Sequence, residues 1–178
     1  VDWAKNSGTV VWQIRPGIRW ALNPNSEASR LVNGREMTAD DVVYSFKRSI
    51  TWNQAYPYMN NPELRTANIT KTGPWEVTVK VPYAALMMTI ARFNDTVPIQ
   101  PREVIEKYGD MSDWKWIVGT GAFMIDEYVP GSVTIRVRNP NYWMKDPVGP
   151  GKGNQLPYLD AVKAINLPDA STQQAAMR

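Results

Sequence analysis

The sequence predicts an α+β fold, mainly antiparallel sheet built from hairpins with flanking helices. Three observations carry it. Alternating apolar segments meet end to end around the turn pairs Pro16-Gly17, Gly73-Pro74 and Pro130-Gly131. A capped helix with an apolar stripe begins after Thr38. No internal repeat or low-complexity tract interrupts the 178 residues, a length that suits one domain with its own core.

In chain order, residues 9–15 alternate, with Val10, Trp12 and Ile14 on one face, and Ile18 to Trp20 return after Pro16-Gly17 as the second arm of a hairpin. Residues 21–36 hold Asn, Pro, Ser and Gly without periodicity and read as a long surface excursion. Thr38 stands three residues before Asp41 and just ahead of Val43, Phe46 and Ile50, which places a helix cap and a buried face in register. Trp75, Val77, Val79 and Val81 alternate with polar residues and pair back onto residues 66–72. Residues 84–93 are apolar on nearly every side, a helix that calls for burial against more than one neighbour. Pro101 opens and Gly109 closes the next helix. Residues 122–129 and 132–138 form a third hairpin with Val133, Ile135 and Val137 inward, and residues 144–155 are loop. An apolar run over 161–167 then leaves this subdomain. The ends read as cuts in a longer protein: Val1-Asp2-Trp3 stands almost directly before a strand, and residues 171–178 read as the first turns of an unfinished helix.

Composition excludes much chemistry. The chain has no cysteine and no histidine, hence no thiolate nucleophile, no Ser-His relay and no imidazole metal ligand, so any enzyme built here would depend on carboxylates, Lys or Tyr. No carboxylate pair stands out, and the expectation is no catalytic residue, metal site or cofactor. A net charge of +3 with interleaved signs gives no basis for nucleic acid binding. No apolar run approaches the roughly 18 residues of a membrane-spanning helix. Asp40 and Asp41 are adjacent, point about 100° apart on a helix, and suit its first turn better than an acid pair. Gly119-Thr120-Gly121 lacks the Lys and Ser/Thr of a phosphate loop and reads as a turn that uses glycine for positive φ. Glu103, Glu106 and Asp110 form a solvated face with Lys107.

Four blocks, in order, resemble the peptide/nickel family of ABC-importer binding proteins, also called family 5. Residues Val11-Trp12-Gln13-Ile14-Arg15-Pro16-Gly17-Ile18-Arg19-Trp20 are similar to its aromatic-x-Leu-Arg-x-Gly-Val-x-Phe segment. The stretch from Asn33-Gly34 through Thr38-Ala39-Asp40-Asp41-Val42 to Ser45-Phe46 resembles Asp-Gly-x-x-Leu/Met-Thr-Ala-Glu-Asp-Val-x-x-Ser-Phe and is the most specific piece. Gly119-Thr120-Gly121-Ala122-Phe123 with Arg138-Asn139-Pro140-Asn141-Tyr142-Trp143, and finally Pro157-Tyr158-Leu159-Asp160, complete the match. Ile14 and Ala122 depart from the family's Leu and Pro, and residues 21–30 look like an insertion in a subgroup.

The resemblance implies part of a type II periplasmic-binding-protein-like fold, with residues 1–160 forming the family's extra domain and adjoining first-lobe elements. Residues 161–178 would supply a return strand and the start of a helix leading into the remainder. It implies a monomeric, non-enzymatic receptor outside the cytoplasmic membrane, periplasmic or a cell-surface lipoprotein. Its partners would be a peptide or oligosaccharide ligand and the permease subunits of an ABC importer. By resemblance the ligand-facing role falls to Tyr56 and Tyr58, with Trp52 beside them in a polar segment after a helix, and to Asn94 and Asp95 after the apolar helix. A metal chelate is a further ligand class. Two other classes remain open at this level: a carbohydrate-active enzyme using two carboxylates, and a tryptophan-rich binder of single-stranded nucleic acid.

Overall fold

A computed structural model describes residues 1–177; the expectation that the terminal helix includes Arg178 lies outside the described residues. Among the described residues the elements run β1 (Ser7–Gln13), α1 (Glu27–Val32), α2 (Ala39–Thr51), α3 (Tyr56–Asn60), β2 (Asn68–Gly73), β3 (Glu76–Pro82), α4 (Leu86–Asp95), α5 (Arg102–Tyr108), β4 (Phe123–Val129), β5 (Val133–Arg138), β6 (Ala161–Ile165) and α6 (Ala170–Ala176). Contacts divide the chain into two units. One comprises Val1–Ile18 and Glu36–Glu106, the other Arg19–Arg35 and the chain from Lys107 onward.

The first unit is built on an antiparallel sheet of order β1-β3-β2. The hairpin expected around Gly73-Pro74 is present, with Ile69 opposite Val79 and Lys71 opposite Val77. The hairpin expected around Pro16-Gly17 is not. β1 pairs instead with β3, from Ser7 opposite Pro82 to Gln13 opposite Glu76. A seven-residue ladder sets Val10 and Trp12 beside the buried valines of β3, which a three-residue return arm cannot match. Gly17 does turn the chain, at φ +81°, and its N–H donates to the Glu36 carboxylate. The next segment is held by Met37 N–H donating to the Ile18 carbonyl at 2.8 Å.

α2 starts where its cap predicts. Thr38 Oγ1 accepts from the Asp40 N–H, and the Asp41 carboxylate accepts from the Thr38 N–H at 2.9 Å, a reciprocal capping box. Its buried stripe, Ala39, Val42, Phe46 and Ile50, joins Leu64, Ile69, Val77, Val79, Val81 and Phe93 in one core. At its centre Phe46 lies 4.4 Å from Phe93 and 5.4 Å, edge-on, from Trp12. α4 departs from its expected all-round burial: Thr89 and Phe93 are buried, but Met87 is 74% exposed, so the helix offers one face to the core.

The second unit carries an antiparallel sheet of order β4-β5-β6. The Pro130-Gly131 hairpin forms as expected, with Val133, Ile135 and Val137 half-buried. The apolar run after residue 160 adds β6 to β5, Val137 opposite Ala161 and Val133 opposite Ile165. The excursion over residues 21–36 is not featureless. Ser26 caps α1, Ala28 and Val32 are buried, and Asn33 closes the helix in the left-handed conformation at φ +53°. Six residues are too few for a 3.6-residue period to stand out.

The loop over residues 144–155 is tied off by an isolated bridge between Lys145 and Gln155, and the Tyr158 hydroxyl donates to Asp146 at 2.6 Å. That bond holds the Asp146 carboxyl below its ordinary 3.8 and, as the largest cause, pushes the Tyr158 phenol above its ordinary 10.0. The clamp therefore contributes fully between pH 3.8 and 10.0. It is lost as pH falls through the depressed carboxyl value and as pH rises through the raised phenol value. In a carbon-detected NMR titration Asp146 is expected to titrate below the ordinary aspartate value, and Tyr158→Phe to move it back up. An unchanged titration in that variant would refute the clamp.

Candidate functional site

The aromatic residues nominated from sequence all lie in the first unit. α2 ends at Trp52, whose backbone leaves the helix in an extended conformation, and Pro57 in the first turn of α3 starts the next helix directly behind Tyr56. Each nominated ring carries a guanidinium. Arg48, one helical turn before Trp52, sits 3.8 Å from its ring centroid; Arg65 sits 4.0 Å from that of Tyr58; Arg92, on α4, sits 5.1 Å from that of Tyr56. Arg65 is fixed by donating to the Tyr58 carbonyl, and Arg92 Nε donates to Asn61 Oδ1 at 2.9 Å.

Trp52 and Tyr56 share a pocket of about 200 Å³ with Arg48, Gln54, Thr96 and Gln100. Its lining holds a single cation and no acid. Tyr58 does not line it and is half-buried under Arg65. Asn94 and Asp95 do not line it either. Asn94 Oδ1 accepts from Trp12 Nε1 at 2.9 Å, and Asp95 is the exposed last residue of α4. The structure thus joins Trp52 to Tyr56 and leaves Asn94 in a structural bond that satisfies the indole of a core aromatic.

No acid pair for hydrolysis emerges from the candidates. Asp41 is committed to the α2 cap and Asp40 pairs with Lys71 at 2.6 Å. Glu106 pairs with Arg102 one turn away on α5. Among the described residues no group of three His, Cys, Asp or Glu could hold a metal ion. Gly119 and Gly121 act as a turn through their carbonyls, accepting from Ala21 N–H at 2.8 Å and from the buried Asn139 side chain at 2.8 Å. Neither sits at positive φ, contrary to expectation.

Sequence reasoning missed the three arginines, although the four-residue spacing of Arg48 and Trp52 was a local signal for one of them. It also missed a larger cavity in the second unit, about 500 Å³, lined by Tyr108, Trp114 and Trp116 among others. The Trp114-Lys115-Trp116 cluster, three aromatics within nine residues counting Tyr108, was a legible sign of it. Glu27 at its edge is held below its ordinary value chiefly by a hydrogen bond from Lys107, whose own value is raised chiefly by Glu27.

Comparison with known proteins matches residues 2–178 to the family model described as bacterial extracellular solute-binding proteins, family 5 middle. The peptidoglycan-binding protein YepA of Agrobacterium fabrum is 30% identical over 141 residues, covering 78% of this chain and 22% of that protein. The periplasmic oligopeptide-binding protein OppA of Escherichia coli is 26% identical over 178 aligned positions, covering 87% of this chain and 32% of that protein. Among solved structures, the Bacillus subtilis oligopeptide-binding protein AppA in complex with a nonapeptide superposes with a TM-score of 0.66 at 21% identity, over 95% of this chain and 30% of that one. The dipeptide-binding protein of Pseudoalteromonas sp. SM9913 in complex with Met-Leu gives 0.69 at 17%, over 97% and 34%. The chain thus spans about a third or less of the length of these relatives. The solved structures share the type II periplasmic-binding fold, which the mixed antiparallel architecture matches.

Proposed function

Since the chain belongs to family 5 of the bacterial extracellular solute-binding proteins, we propose that the whole protein captures short peptides or similar oligomeric solutes outside the cytoplasmic membrane and delivers them to the permease of an ABC importer. The observation that carries the peptide reading is the cationic aromatic pocket of Trp52 and Tyr56. An exposed ring backed by a guanidinium offers an apolar platform to side chains and a positive edge to carboxylate and carbonyl groups, without any reactive group nearby.

In this reading Tyr56 and Trp52 touch the ligand, Tyr58 supports them, and Asn94 and Asp95 stand at the margin. The relatives are named as binding proteins, and the same non-enzymatic role is assigned here. Residues 1–160 take the place of the family's extra domain with adjoining first-lobe elements, and residues 161–178 lead onward. Closure of two lobes around the ligand supplies the mechanism, driven by contacts that exist only in the closed state. The protein works as a monomer, in the periplasm or as a surface lipoprotein. Among the described residues no helix is long and apolar enough to cross a membrane.

Native mass spectrometry of the full-length protein, purified from cells without added ligand, tests this directly. Co-purified peptides of mixed sequence are the expected result. A single defined sugar in their place would overturn the peptide assignment.

A further inference from the structure

The 21–30 excursion, for which the family resemblance offers no role, forms one wall of the 500 Å³ cavity of the second unit. We propose that this cavity is a second ligand site, and that it takes a neutral saccharide. It shares no lining residue with the Trp52–Tyr56 pocket, so it stands independently of the peptide reading.

The cavity is a built concavity and not a gap between loose loops. Its wall is bonded to its floor across about a hundred residues of sequence: Ala21 N–H donates to Gly119 O at 2.8 Å, Asn23 Nδ2 to Ile125 O at 3.2 Å, and Ser26 Oγ to Lys115 O at 3.3 Å. Glu27 at the wall closes on Lys107 as an ion pair. Asn23 and Ser29, which brace the wall from inside, are buried and bonded to each other. The size falls within the range of about 300–1,000 Å³ typical of small-molecule sites.

The lining chemistry selects the ligand. Tyr108 and Trp116 are stacked at 5.0 Å and 13°, and Trp114 follows the Asp113 cap of the same short turn. All three rings are half-buried, with apolar surface left for a flat, C–H-rich face such as that of a pyranose. The floor strand β4 carries a bulge: Ile125 opposes Arg136 and Glu127 opposes Ile135, leaving Asp126 as the extra residue. Phe123, Met124, Ile125 and Asp126 all line the cavity, and the bulge accounts for the consecutive Ile125 and Asp126 doing so together. The bulge brings the Asp126 carboxylate to the rim, where Asn25 Nδ2 reaches it at 3.4 Å. Carboxylate and amide together offer acceptors and donors to hydroxyl groups. Glu27 and Asp126 equal Lys115 and Arg136 in number among the lining residues, and Glu27 is already paired with Lys107, so no carboxylate is left in excess to hold an ammonium group. A ring with one apolar face, many hydroxyls and no charge fits all three features. A peptide, with an ammonium group to place, has no unbalanced carboxylate to meet here.

The test is calorimetric titration of the full-length protein with cellotriose, maltotriose and triacetylchitotriose, each also followed by tryptophan fluorescence. At least one is expected to bind, with affinity falling about tenfold or more in Trp116→Ala and falling also in Asp126→Ala, an exposed position whose loss leaves the fold intact. Tyr56→Ala is expected to leave saccharide binding unchanged. Binding of none of the three sugars, or sugar binding that survives both cavity variants, would overturn the proposal. So would sugar binding that is lost only in Tyr56→Ala. Saccharide binding without any peptide binding would instead sink the peptide reading and leave this site standing.

Discussion

Phe46→Ala is expected to destabilise the first unit by about 3–5 kcal/mol, the cost of removing a buried aromatic ring whose cavity cannot collapse. Phe46 is 2% exposed and sits where α2, α4 and β1 converge, with Phe93 at 4.4 Å and Trp12 at 5.4 Å. These neighbours belong to two further elements, α4 and β1, the latter held in its ladder with β3 and both packed in the same core, so they have little freedom to close the void. Against a typical total stability of about 5–15 kcal/mol the loss is a large fraction. Urea denaturation read by tryptophan fluorescence should show a lower midpoint at unchanged slope. Val43→Ala, on the half-buried flank of the same helix, should cost clearly less. A Phe46 loss below about 1 kcal/mol would contradict the packing described here.

Tyr56→Ala is expected to weaken binding of a tetra-alanine peptide by roughly 30-fold, from the 2 kcal/mol or more that an aromatic anchor contributes at an interface. The side chain is 46% exposed in the chain as described, so its loss should scarcely alter stability, which separates a binding effect from an unfolding one. Tyr56→Phe keeps the ring beneath Arg92 and should retain most of the affinity. Calorimetry on the full-length protein measures both variants. Equal affinities for Tyr56→Ala and the unaltered protein would remove Tyr56 from the ligand site.

Much of the local structure was legible beforehand, for a physical reason that individual residues show. The Thr38–Asp41 capping box, the Gly73-Pro74 and Pro130-Gly131 turns, and the Pro101 and Gly109 boundaries of α5 act within a few residues of themselves. The Pro16-Gly17 turn misled because a turn specifies a change of direction but not which strand becomes the partner. That choice went to β3, more than sixty residues away, where the valine ladder buries more apolar surface. α1 was hidden by its brevity, and the exposure of Met87 by the lack of any local mark for which apolar face meets the core.

The candidate sites divide along the same line. Tyr56, Tyr58 and Trp52 could be nominated because aromatic residues in a polar, proline-containing segment are conspicuous in one dimension. Nothing near Asn94 in sequence indicates that its acceptor would be used by Trp12, 82 residues away. Likewise Arg92 reaches Tyr56 from another helix, and Lys107 meets Glu27 across 80 residues.

By itself the sequence determined the class of elements, most of their boundaries, the absence of thiol and imidazole chemistry, and the family through four ordered blocks. Tertiary structure alone decided the strand order, the Arg92 guanidinium at the Tyr56 ring, and the cavity walled by the 21–30 excursion. Caps, turns and periodicity are short-range and written in neighbouring residues, whereas pairing and pocket formation depend on which distant surfaces bury the most area together.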